Sequence, residues 1–179
     1  MLECVNNMSL FIKTMECFML KQMKQDDFIV SKTDLKGRLT YVNKIFIEMG
    51  EYSEAELLGK AHSIVRHPDM PKAVFKLLWD LVQAGDEIFA FVLNRTKNGN
   101  DYWVYANVTP SFDANDKIVG YYSVRRMPNP AALEIIKPLY AQMLNAERSG
   151  GLEAGTKILT DLLNEKGVGY NELIITLQG

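Results

Sequence analysis

The pattern of apolar and polar positions changes character three times along the chain. Residues 1–25 place Met8, Phe11, Ile12, Met15, Phe18, Met19 and Gln22 at helical spacing, which predicts an amphipathic N-terminal helix. "FIVSKTD" and "RLTYVN" then read as strands around "LKG", predicting a β-hairpin. Short helical pieces follow. Ser53 with Glu56 fits a capping box, and Gly59 fits a helix stop. "PKAVFKLLWDLVQAG" predicts a longer helix, with Pro71 in its first turn and Gly85 at its end. "EIFAFVLNRT", "YWVYANVTPSF" and "IVGYYSVRRM" predict three strands joined by turns rich in Asn, Asp and Gly. After "PNP" helical spacing returns and persists, in two or three segments joined at glycines.

Two strands, several short helices and three strands predict an antiparallel sheet with helices gathered on one face, an α+β arrangement. The chain divides into the helix 1–25, a dense domain 26–127 and a helical extension 128–179. Side chains alternate across a strand, so Ile88, Ala90, Val92 and Asn94 share one face and Phe89, Phe91, Leu93 and Arg95 the other. Both faces are apolar, so both are expected to be covered. The short helices cover one, and the Met-rich N-terminal helix is the expected lid on the other or a dimer contact. Ala90, Ala106 and Ser123 leave volume on one face, which suits a flat ligand or a bulky core helix equally.

Composition narrows the function. A net charge of −2 over 179 residues offers no basic face for nucleic acid. Cys4 and Cys17 form no CxxC pair, which points to a reducing, cytoplasmic setting. "MSLFIKTMECFML" is too short to span a bilayer and lacks the features of a signal peptide. His62 and His67 are the only histidines, so no metal site is expected, although one axial histidine suffices for haem. No G-x-S-x-G turn or substrate acid–base pair is evident, so the chain is not expected to be an enzyme. "IVRHPDMP" concentrates Arg66, His67 and Asp69. Either Asp69 caps the helix near Pro71 and Arg66 pairs with a surface carboxylate, or the arginine grips phosphate through parallel hydrogen bonds.

The segments "TDLKGRLTYVNKIFIEMGEYSEAELLGKAHSIVRHPDMPKAVFKLLW", "NRTKNGNDYWVYANVTP" and "GYYSVRR" resemble a PAS domain, and more narrowly the FAD-binding PAS domain of aerotaxis (Aer-type) receptors. The tail "PNPAALEIIKPLYAQML…LLNEKGVGYNELI" is similar to the stand-alone PAS component of bipartite energy-taxis receptors (CetB-like). The resemblance implies a PAS fold with a five-stranded antiparallel sheet. It also implies a cytoplasmic redox sensor that binds FAD and signals to a separate membrane-bound chemotaxis receptor. A homodimer through the N-terminal helix and outer sheet face is a further expectation. Arg66, His67 and Asp69 occupy positions implicated in holding FAD. Asn94 corresponds to an asparagine at the ring edge, and its carboxamide offers both donors and an acceptor. Asn43 is a second pocket candidate, or a helix cap. Trp79, on one side of its helix with Phe75 and Val82, stands beside the flavin or in the core. Arg125 places a cation near the ring if its face is inward, favouring a reduced, negatively charged flavin. His62 stands near the place of the reactive cysteine of light-sensing relatives, so photoadduct chemistry is not expected. Ile88, Phe89 and Ala90 replace the Trp-x-Gly of Aer-type domains, removing an aromatic stack. A ligand-free interaction or dimerisation module and a haem-binding oxygen sensor are the alternatives.

Overall fold

A computed structural model describes residues 20–179. The first hairpin joins β1 (Ile29–Thr33) to β2 (Leu39–Val42). Its turn is built by Asp34, whose carboxylate accepts from the N–H groups of Lys36 and Arg38 at 2.8 and 2.9 Å. Three short helical pieces follow: α1 (Lys44–Gly50), α2 (Glu54–Leu57) and a 3₁₀ turn at His62–Val65. At the start of α2 the Glu56 carboxylate accepts from the Ser53 N–H and hydroxyl, both at 2.9 Å, as the capping-box spacing predicts. Next is α3 (Lys72–Ala84), which ends at Gly85 with φ 98°. The strands β3 (Ile88–Arg95), β4 (Asp101–Phe112) and β5 (Ile118–Arg126) complete one antiparallel sheet in the order β2-β1-β5-β4-β3. The central strand is therefore the last to be made, and it pairs the N-terminal hairpin with the C-terminal one.

The sheet's inner face carries Ser31, Asn94, Ala106, Ser123 and Arg125. Register confirms the shared face, with Ser31 opposite Ser123 and Ala106 opposite Arg125. α3 lies across this face. Phe91 and Tyr105 are opposite each other on the outer face, and both are buried. Their cover is the C-terminal unit of α4 (Pro130–Lys166) and α5 (Tyr170–Gln178). α4 is two helices joined across a kink at Gly151, whose φ of 71° and ψ of −168° break the spiral.

The expected N-terminal helix over 1–25 needs correction where it is described. Residues 1–19 lie outside the described residues, and residues 20–25 are not helical. Leu20 instead makes a parallel bridge with Asp101, and the Lys21 N–H donates to the Asp101 carbonyl at 2.8 Å. The Lys21 ammonium reaches the Glu48 carbonyl at 2.6 Å, a cation completing the C-terminal end of α1. These contacts hold the segment extended, overriding its helical periodicity. The described cover of the outer face is thus C-terminal.

That C-terminal unit also closes the edge of the sheet. β3 is an edge strand, and its outward-pointing backbone groups are a liability unless partnered. Asn171 of α5 accepts from the Phe89 N–H at 3.0 Å and donates to the Glu87 carbonyl at 2.9 Å. The Tyr140 hydroxyl of α4 donates to the Phe91 carbonyl at 2.9 Å. The Leu93 N–H donates to the Met70 sulfur at 3.2 Å, and the Leu93 carbonyl accepts from the His67 N–H. Side chains and a loop stand in for a sixth strand.

Candidate ligand cavity

Between α3 and the inner sheet face lies a cavity of about 140 Å³. Its walls are mostly apolar. Phe75, Leu78, Trp79 and Val82 come from α3, whose helical spacing puts them on one side. Val92, Ala106 and Val108 come from the sheet. Trp79 meets Tyr121 edge to face, with ring centroids 5.3 Å apart. The indole also explains Gly37. That residue has φ 71°, and a Cβ there would stand 3.1 Å from the Trp79 ring.

Polar side chains also reach the lining, and two of them lack partners. Asn94 is 3% exposed and Ser123 6% exposed, yet the Asn94 amide nitrogen and the Ser123 hydroxyl have no hydrogen-bond partner. Asn94 lies opposite Tyr102 across the β3–β4 ladder; burial raises that phenol to about 12, and the neighbouring Asn94 side chain, short of a well-formed hydrogen bond, opposes the shift. Buried polar groups are ordinarily satisfied, so two orphans in one cavity mark a place for ligand atoms. Arg125 adds a charge. It is 5% exposed, donates to the Ser31 hydroxyl at 3.1 Å and to His62 Nε2, and lies 5.5 Å from the centre of the Phe46 ring. Among the described residues no carboxylate pairs with it. Burial pulls its pKa down to about 10, which still leaves it cationic at neutral pH. A buried guanidinium without a counter-ion is costly and calls for negative charge nearby. His62 takes the neutral form. Burial, then the Arg125 charge, holds its pKa well below the usual histidine range.

The other predicted residues are placed as follows. Arg66 lines the cavity, with its guanidinium 3.7 Å above the centre of the Phe75 ring. His67 does not line it. It is buried behind the loop, where its Nδ1 accepts from the Asp69 N–H at 2.9 Å and its Nε2 lies 3.3 Å from the Asp101 carboxylate. Arg95 touches the same ring nitrogen and bonds Asp101 at 2.8 Å. His67 thus braces the loop against the β3–β4 hairpin. Asp69 is exposed and does not cap α3. Glu147 of α4 does so instead, accepting from the N–H groups of Lys72 and Ala73 at 2.9 and 2.8 Å. Asn43 lies outside the lining as well. Its side chain caps α1 at Phe46 N, accepts from Val30 N and donates to the Phe28 carbonyl, which spends its capacity on the scaffold. Of the Trp-x-Gly replacements, Ile88 and Ala90 are buried on the inner face without reaching the cavity, and Phe89 stacks on Tyr105 on the outer one. Sequence reasoning missed Ser31 and Glu147. Ser31 was recoverable from strand parity with Ile29 and Thr33. Glu147 gives no local signal, because its partners lie 75 and 74 positions away.

The lining fits a flavin in its chemistry. Apolar walls suit a flat ring, two orphaned polar groups suit its heteroatom edge, and Arg125 suits the negative charge it can acquire. The volume is below the roughly 300–1,000 Å³ of ordinary ligand pockets. Admitting a tricyclic ring therefore requires the cavity to widen.

A five-stranded antiparallel sheet with short helices enclosing such a cavity defines a PAS domain, and residues 39–125 match the PAS fold family. The chain is similar in sequence to an aerotaxis receptor. The Aerotaxis receptor of Escherichia coli (strain K12) is 39% identical over 127 residues, covering 71% of this chain and 25% of the receptor. The chain thus spans about a quarter of that relative's length. Phototropin-2 of Oryza sativa subsp. japonica is 28% identical over 102 residues, covering 56% of this chain and 11% of its own. Among solved structures, the dark state of the blue-light photoreceptor Aureochrome1 LOV superposes with a TM-score of 0.54. It has 20% identity and covers 72% of this chain and 89% of that one. At that identity it supports the fold alone.

Proposed function

We infer that this protein is a cytoplasmic redox sensor for energy taxis, with FAD held in the cavity under α3 and a separate membrane-bound chemotaxis receptor as its partner. The observation that carries the reading is the buried, uncompensated Arg125 beside the unpartnered Asn94 amide and Ser123 hydroxyl. The likeness to an aerotaxis receptor supports it. Among the described residues no helix is long and apolar enough to cross a membrane.

FAD, when bound, supplies a ring whose charge and protonation change with electron supply. Asn94 and Ser123 orient the ring edge, and Arg125 favours negative charge there in a site of low dielectric. Trp79 and Tyr121 shield the ring from water. Arg66, at the cavity wall with its planar fork, holds phosphate. His67 and Asp69 act indirectly, by fixing the loop that carries Arg66. A ligand shifts a conformational equilibrium only through contacts that differ between its states, and Arg125 and Asn94 are the groups here that feel such a difference. Purified protein is expected to be yellow, with flavin absorbance that bleaches reversibly on reduction. Well-folded, colourless protein that cannot be loaded with FAD would refute the reading, and a Soret band would favour haem.

A further inference from the structure

α3 forms one wall of the cavity, and Glu147 pins its first turn from the C-terminal unit. Both carboxylate oxygens are engaged, one with Lys72 N–H and one with Ala73 N–H. Pro71 gives α3 no side-chain cap of its own, so Glu147 supplies the charge that the helix N-terminus favours. The returning half of α4 backs this carboxylate closely, since a Cβ on Gly155 would stand 2.5 Å from Glu147 Cγ. Arg66 approaches the same turn from the cavity side, stacked on Phe75 three residues after Lys72. Burial lowers the Arg66 pKa and the Glu147 charge opposes that shift, so the two side chains sense each other.

We propose that Glu147 is a gate on the cavity: it holds the first turn of α3 in the narrow arrangement, and its charge opposes the phosphates of an anionic ligand at the Arg66 side of that turn. This rests on the flavin reading given above. A phosphate at Arg66 neutralises the cation that attracts Glu147 and repels the carboxylate, so ligand binding and latch closure oppose each other. Linkage makes the effect reciprocal. The C-terminal unit thereby sets ligand affinity, and ligand occupancy sets how firmly that unit is held.

The test compares wild type with Glu147→Gln, which keeps size and an acceptor but removes the charge. Affinities for FAD and for riboflavin, which has no phosphate, are measured by fluorescence quenching. FAD should bind the variant about fivefold tighter or more, and riboflavin should gain distinctly less. FAD should also speed hydrogen exchange at the Lys72 and Ala73 amides of the wild type. An unchanged or weaker FAD affinity overturns the gate, and an equal gain for both flavins overturns the charge competition. Asn171→Ala serves as a control that loosens the C-terminal unit elsewhere, and it should not reproduce the preference for FAD. If wild type binds neither flavin, the flavin reading falls. Inorganic pyrophosphate then tests the gate alone, by accelerating exchange at those two amides in wild type, and its failure to do so overturns the gate.

Discussion

Arg125 and His62 make opposite demands on the same buried space. A guanidinium taken from water without a carboxylate weakens the fold unless a ligand compensates it. Arg125→Met should therefore leave the thermal midpoint of flavin-free protein equal or higher, while flavin retention after purification falls at least tenfold. A large loss of stability in that variant would show that Arg125 serves the scaffold instead. His62 contributes through pH. Its folded pKa is depressed, so as pH falls below about 6.5 the unfolded chain binds a proton that the native protein refuses. Stability is thus fully retained above that pH and declines below it, with a slope of up to about 1.4 kcal/mol per pH unit from this group. His67, also depressed by burial, acts in the same direction. Urea unfolding between pH 7.5 and 5 should show a shallower decline for His62→Gln than for wild type. Identical slopes would mean that His62 takes up its proton as readily in the native protein as in the unfolded chain.

Among the elements, the tightest approach lies at the centre of the sheet. A Cβ on Gly120 of β5 would stand 2.3 Å from the Thr33 carbonyl oxygen, a backbone atom that has nowhere to go. Gly120→Ala is expected to cost about 1–3 kcal/mol or more. Tyr140→Phe removes the buried hydroxyl that serves the Phe91 carbonyl and should cost on the order of 1–2 kcal/mol. Chemical denaturation measures both. The elements legible in the sequence were those with a strong local rhythm. Strand parity grouped Asn94 with Ile88, Ala90 and Val92, and Arg125 with Ser123, but left open which face was inward; the register and the cavity lining settle that these residues share the inner one. Asn43 and Asp69 were ambiguous because a short polar side chain at a helix start serves the backbone or a ligand with the same atoms. Geometry assigned Asn43 to the backbone and left the capping of α3 to Glu147. The N-terminal segment misled from residue 20 onward, because Lys21 found better partners in Asp101 and the end of α1 than a helix offered it.

The whole molecule is a sheet domain whose exposed edge is sealed by its own C-terminal helices. Removing residues 128–179 should uncover β3 along with Phe91 and Tyr105, and the shortened chain is expected to associate. Size-exclusion chromatography would show dimers or larger species, and a stable monomer would mean that the edge needs no cover. The dependence also has a direction in time. The ribosome delivers α3 long before the residue that completes its first turn, because Glu147 follows Lys72 by 75 positions. At about 5–20 residues per second, that interval lasts roughly 4–15 s. The last strand is complete only at Arg126, so between there and Glu147 the nascent domain has its whole sheet but an unfastened wall, and the cavity can be filled before its closing helix exists. On the flavin reading proposed above, cofactor supply during synthesis, and not only after it, decides how much of the protein leaves the ribosome loaded.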